Sequence, residues 1–260
     1  MSIIKVKTKL DEYKHRACSS DINELSGRTN RSDITFFVNT EISKRMGFKP
    51  NEVIVDIGCG DGTLLEIAEN KGASCIGILP SEEEVTRVRE RFLTKADRIN
   101  IEQGLASKTD LPDKVADNVV CNGVFLLLDE EDVNLALKEI SRITKPNSQV
   151  YIGELCFRDE TEGKNYGDSI LKWLLWVLLN QGGHEFLSRC KQTLRALFTT
   201  EQMLILPKNH YYCTPEEFIS RAKLYGLNIN EHFPHKSISS NNAIIKSDSR
   251  QDYIFIKGDG

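Results

Sequence analysis

The chain has 260 residues and a mass of 29.5 kDa, with 40% hydrophobic and 28% charged residues. That composition excludes collagen-like, disordered and polytopic membrane classes. A chain this long buries about 70–75% of the surface it exposes when unfolded, so it needs no disulfide or metal staple. Its 34 basic and 38 acidic residues leave a formal charge of −4, without the broad basic field that nucleic-acid binding uses.

The opening MSIIKVKTKL is broken by lysines and is not a signal peptide. The seven cysteines, at 18, 59, 75, 121, 156, 190 and 213, form no C-x-x-C pair. They suit small buried side chains in a reducing compartment, and the expected location is cytoplasmic. Residues 1–32 form a polar N-terminal segment. From Asp33 a helical pattern begins, with Asp33 as its expected cap, Ile34, Phe37, Val38, Ile42 and Met46 on one face, and Gly47 as its stop. Strands and helices then alternate. Glu52–Asp56 reads as a strand, Leu64–Lys71 as a helix ended by Gly72, and Ser74–Leu79 as a second strand. Ser81-x-x-Glu84 reads as a capping box for a helix through Phe92. Ile99–Glu102 and Asp117–Phe125 read as further strands, and Asp129–Ile143 as a helix with acids at its positive end. Pro146 is expected to end that unit before a strand over Gln149–Phe157. This rhythm predicts an α/β core over 33–157, a parallel sheet with helices on both faces.

The rhythm breaks over 158–210, where two helical stretches are expected, Ile170–Leu179 and about Glu185–Phe198, separated by Gly182-Gly183. The first would be about 15 Å long, too short to span a bilayer. Residues 211–260 return to the core pattern. Thr214, Pro215 and Glu217 start a helix that Gly226 ends. Strands near Asn228–Phe233 and Asp252–Lys257 follow, joined by Ser237–Arg250, read as a polar, mobile linker.

The informative run is Val53-Ile54-Val55-Asp56-Ile57-Gly58-Cys59-Gly60-Asp61-Gly62. A hydrophobic strand enters a glycine turn that opens a helix. The glycines let the backbone bend and approach a ligand, and the helix start offers free N–H groups. Asp56 stands at the carboxyl edge of the strand, where open α/β sheets bind ligands. The spacing is not the G-x-G-x-x-G of dinucleotide binders. A carboxylate there suits a cationic group, such as an amino-acid ammonium, better than a pyrophosphate.

This run resembles motif I of the class I S-adenosylmethionine-dependent methyltransferases. Asp117-Asn118-Val119-Val120 resembles the family's F-D-x-V strand, with Ala116 where an aromatic often stands, and Leu111-Pro112 resembles the L-P before it. Lys138-Glu139-Ile140-x-Arg142-x-x-Lys145-Pro146 resembles the helix and turn before strand five. The resemblance implies a Rossmann-like seven-stranded sheet in the order 3-2-1-4-5-7-6, with 158–210 as a helical lid over the acceptor site. It implies S-adenosyl-L-methionine as cofactor, its methionine part held at Asp56, Gly58, Cys59 and Gly60, and Asn122 at the same edge. The ribose acid expected after the second strand is replaced by Leu79. The adenine acid of the third-strand motif is replaced by Leu105, beside Gly104. If nothing compensates, Leu79→Glu should tighten cofactor binding; Glu102 and Asp110 are candidate substitutes.

Methyl transfer mainly requires alignment of donor and acceptor, and a base only where the acceptor is a hydroxyl. Glu154, at the end of strand five, and His184, beside the glycine pair, are the candidate catalytic residues. No motif for a bound metal occurs. Arg28 and Asn30 lie where N-terminal segments of such enzymes close over the cofactor. The aromatics of 158–210, Trp173 and Trp176 included, fit core packing, an acceptor pocket, a homodimer seam or a lipid-facing edge. The reading is therefore methylation of a small molecule at oxygen or nitrogen, with no nucleic-acid partner and no transmembrane span. The alternative is a non-catalytic or altered-ligand protein on the same fold, a nucleoside binder or scaffold, on account of Leu79 and Leu105.

Overall fold

The strand Val53–Ile57 (β1) is buried on both faces apart from its first residue, as a strand inside a sheet covered on both sides is. It belongs to a computed structural model that describes residues 31–156, 211–239 and 243–259 continuously. The model also describes 3–5, 22, 25 and 203–205, and the positions 171, 174, 175, 178, 179, 183, 186, 187, 190, 191 and 194. By contact the chain divides into two units, residues 1–12 with 160–209 and residues 13–159 with 210–260. In the first, Ile3–Lys5 pairs in parallel with Met203–Ile205, and the described positions from 171 to 194 are helical. Trp173, Trp176, Arg28, Asn30 and His184 lie outside the described residues.

The second unit holds the sheet. In chain order its elements are α1 (Ser32–Met46), β1, α2 (Thr63–Glu69), β2 (Ser74–Leu79), α3 (Glu82–Arg91), β3 (Ile99–Gln103), β4 (Ala116–Asn122), α4 (Glu130–Ile143), β5 (Thr144–Cys156), α5 (Pro215–Lys223), β6 (Leu227–Ile238) and β7 (Ile244–Lys257). The seven strands lie in the order β3-β2-β1-β4-β5-β7-β6, the 3-2-1-4-5-7-6 arrangement that the resemblance implies. The first five strands run parallel, and β7 is antiparallel to both neighbours. Two apolar clusters sandwich the sheet. One packs α1, α2 and α3 through Val38, Ile42, Leu65 and Val88. The other packs α4 and α5 through Leu137, Ile140 and Phe218. Phe218 is fully buried, with edge-on rings of Phe125, Tyr253 and Phe255 at 5.6, 5.0 and 6.0 Å. Among the described residues no helix is long and apolar enough to cross a membrane.

Caps fix most helix starts. Ser81 Oγ accepts from the Glu84 N–H, Asp129 accepts from the Asp132 N–H, and Thr214 and Glu217 form a complete capping box. Asp33 does not cap α1. It lies inside the first turn and takes Arg31 at 2.9 Å, and the N-cap residue is Arg31. An acid there still complements the positive helix end.

Strand boundaries differ from the sequence expectation at several places. The strand read over Asp117–Phe125 ends at Asn122, where Gly123 turns at φ 72° and Phe125–Leu127 form a 3-10 turn. Pro146 does not end the unit, since β5 runs from Thr144. Thr144 pairs with Ala116, the next pair is Asn118 with Gln149, and the intervening residues bulge outward. A bulge tolerates a residue that has no N–H to give the ladder. The stretch read as a linker carries strand pairing instead, with Lys236 opposite Lys246 and Ile238 opposite Ile244. Ladder bonds are made by backbone, which polar composition does not weaken.

Candidate functional site

The glycine turn starts where β1 ends. Gly58, Gly60 and Gly62 all have positive φ, 76°, 55° and 80°, a region that side chains with Cβ rarely enter. The Gly58 N–H donates to the Ile78 carbonyl at 2.8 Å. A Cβ at Gly58 would collide with the Val124 side chain. The turn is therefore clamped between β2 and the loop after β4, and no larger residue fits at its first position.

Asp56, just before the turn, is 5% exposed. Among the described residues its side chain makes no hydrogen bond or ion pair. Burial, reinforced by the nearby Asp61 charge, pushes its carboxyl up to about 8. Asp61 has the opposite character. It accepts from the Thr63 N–H at 3.1 Å and the Thr63 hydroxyl at 2.9 Å, and it lies 3.7 Å from Arg91. It braces the chain just before α2, whose N-cap is Gly62, which leaves Asp56 as the unmatched acid of the motif. Cys59 is buried, and burial together with Asp56 pushes its thiol far up. Its sulfur fills the space over Gly77, where a Cβ would approach it to 2.7 Å. Cys59 can therefore offer a ligand only its backbone.

Strand register brings the other edge positions together. Gly77 lies opposite Asp56, Leu79 opposite Gln103, and Asn122 opposite Gly153. The Leu79 side chain does not face this edge. It is 2% exposed and belongs to the cluster around Val85 and Val88, while its carbonyl accepts from the Gly104 N–H. Leu105 is 51% exposed. Glu102 takes Asn100 at 2.6 Å, and Asp110 is an exposed partner of Lys108. Neither is aimed as a replacement acid. Leu79→Glu therefore buries a carboxylate in an apolar cluster. We expect it to cost roughly 2–3 kcal/mol of stability in urea unfolding, instead of tightening a ligand.

Glu154 sits at the carboxyl end of β5 in a β-bulge. Ile152 pairs with Tyr253 and Leu155 with Gln251, so one residue is extra on the β5 side. The bulge puts Glu154 at φ 58°, a strained conformation for a side chain of this kind, costing about 1–2 kcal/mol. Its Oε1 accepts from Asn122 at 3.2 Å and its Oε2 from Arg250 at 2.7 Å. Its own N–H donates to Asp252 at 2.9 Å. Bulges re-aim side chains next to active sites, and this one holds a 7% exposed carboxylate beside Asn122. Sequence reasoning missed Asp252, His235, Arg250 and Tyr151. The one signal was a charge, Asp252, opening the apolar run Tyr-Ile-Phe-Ile.

Residues 55–152 match the methyltransferase-domain family model. The ubiquinone biosynthesis O-methyltransferase of Pelagibacter ubique is 31% identical over 130 residues, 48% of this chain and 51% of that protein. The O-methyltransferase resE of Aspergillus sclerotiorum is 26% identical over 117 residues, 45% of this chain and 44% of that one. The chain thus matches about half the length of these curated relatives. A SAM-dependent methyltransferase from Aquifex aeolicus shares the fold with a TM-score of 0.57 at 14% identity, covering 92% of this chain and 100% of that one. The fold is that of the class I S-adenosylmethionine-dependent methyltransferases. Residues 55–152 carry the match to the methyltransferase-domain model.

Proposed function

We propose that this chain methylates a hydroxyl group of a small molecule, with S-adenosylmethionine as donor. The observation that carries this reading is Glu154, a buried carboxylate that the β5 bulge holds at the carboxyl edge. A hydroxyl must lose its proton as it is alkylated, and a fixed carboxylate within reach can take it. The names of the O-methyltransferase relatives support the same acceptor atom, and the acidic net charge supports a small acceptor over a nucleic acid.

The cradle fits the methionine half of the cofactor. Asp56 supplies an unmatched buried carboxyl for its ammonium, and the left-handed turn at Gly58 and Gly60, with the Cys59 backbone, supplies close approach. Gly104, the Leu79 carbonyl, Asn122 and the exposed Leu105 border the rest of the edge. The bound cofactor supplies a methyl group already activated on sulfonium. The chain's own residues bind and orient it and handle the acceptor's proton. His184 keeps only its sequence argument. The altered-ligand reading draws on Leu79 and Leu105, which leave ribose and adenine without their usual acids.

Calorimetry with S-adenosylmethionine and S-adenosylhomocysteine, followed by a mass-spectrometric screen of a metabolite extract, tests the proposal. We expect both ligands to bind and a hydroxyl-bearing metabolite to gain one methylene in mass. Binding of neither ligand would favour the altered-ligand reading, and products methylated only at nitrogen would move the acceptor atom.

A further inference from the structure

β5, β6 and β7 bring a second polar group against Glu154. His235, on β6, is 5% exposed. Its Nδ1 lies 3.0 Å from both oxygens of Asp252, and its Nε2 lies 3.8 Å from Glu154 Oε1. Asp252 is itself 3% exposed and accepts from the Tyr151 hydroxyl at 2.7 Å. An ionised carboxylate only accepts, so Nδ1 carries the ring proton toward Asp252, and Nε2 of the neutral ring presents a lone pair.

The charges around the ring are two carboxylates, Glu154 and Asp252, and one guanidinium, Arg250. From α1, Glu41 and Arg45 face the same region, but they are engaged, Glu41 by Lys236 at 3.8 Å and Arg45 by Glu231 at 3.3 Å. The inner cluster therefore carries one net negative charge while the ring is neutral and none once Nε2 is protonated.

We propose that Glu154, His235 and Asp252 form a proton relay for the acceptor; this rests on the hydroxyl reading above. The acceptor O–H bond breaks and Glu154 Oε1 receives the proton. The oxygen's electron pair forms the new O–CH3 bond, and the pair of the broken S–CH3 bond stays on the sulfur of the methylsulfonium donor. Glu154 passes the proton to Nε2, and Nδ1–H stays on Asp252. The imidazolium then lies between two carboxylates. The 3.8 Å gap closes to a hydrogen bond with a side-chain movement of about 1 Å, and such contacts are commonly long before the acceptor binds. Glu154 is the catalytic residue, and His235 is a positioning residue that acts through it.

The test uses the full chain labelled with nitrogen-15 at histidine, alone and with S-adenosylhomocysteine. Nitrogen-15 shifts and couplings should show the ring proton on Nδ1 of His235 and a bare Nε2. With a hydroxyl acceptor found by the screen above, His235→Asn, which keeps a donor toward Asp252, should lower kcat about 100-fold. It should leave cofactor Kd unchanged and remove the acid limb of the pH–rate profile. A ring proton on Nε2, or a variant within about threefold of the parent with an unaltered pH profile, overturns the relay. Transfer to amines alone overturns both readings. If no cofactor binds, the proposed function fails and the ring tautomer still decides the relay.

Discussion

Asp56→Asn should make the ligand-free protein more stable and the cofactor weaker. The folded carboxyl ionises at about 8 and the unfolded one near 3.8. Between those values the folded chain holds a proton that the unfolded chain has released. The contribution of Asp56 to stability is thus full below about pH 4 and is lost as pH rises through 8. Each pH unit in that window removes about 1.4 kcal/mol, on the order of 5 kcal/mol in all. Asparagine keeps the shape without the ionisation. Its melting temperature should therefore exceed the parent's at pH 8 and match it near pH 4. Calorimetry should show cofactor Kd weakened at least tenfold, the loss expected when one charged hydrogen bond goes. Binding to the parent at pH 7 should release a proton to the buffer, because the ligand's ammonium favours ionised Asp56. Identical pH profiles for the two proteins would mean that Asp56 finds a partner before the cofactor arrives.

The second large effect is expected at Asp252. Its two oxygens accept from the Tyr151 hydroxyl, the Glu154 N–H and His235 Nδ1. Asp252→Ala strands three buried donors, each costing about 1–3 kcal/mol, so urea unfolding should report a loss of about 3–5 kcal/mol. Asp252→Asn keeps one acceptor oxygen and should lose about half as much. A loss below about 1 kcal/mol for the alanine variant would mean that water replaces all three bonds.

The difference between these two aspartates shows what the sequence reveals. Asp56 stands in a local pattern, strand then glycine turn then helix, whose geometry is dictated within ten residues. The strand order came with the family resemblance that this motif carries. Asp252 acquires its role from partners 17 and 98 residues away. Alternation along a strand reports which side chains are buried, never which strand lies alongside. The same limit explains Leu79, whose position in the chain is that of a ribose ligand but whose side chain faces the α3 cluster. It explains Pro146 and the β6–β7 hairpin as well, where backbone pairing overrode composition. The strain at Glu154 had no sequence signal, because a bulge is a mismatch between two strands and neither strand encodes it alone.

The outer strand β6 carries a further consequence. It closes one side of the sheet, where an open row of backbone groups would template the addition of a foreign strand. Pro234 interrupts that row with a residue that has no N–H. Irregular pairing between Ile229 and Glu231 and between Pro234 and Lys236 bends the strand on either side of it. Glu231 and Lys236 place opposite charges along the same stretch. A strand arriving from another molecule would meet a missing donor, two kinks and charged side chains. The edge is thereby guarded against runaway aggregation, and self-association of this unit is directed away from sheet extension across β6.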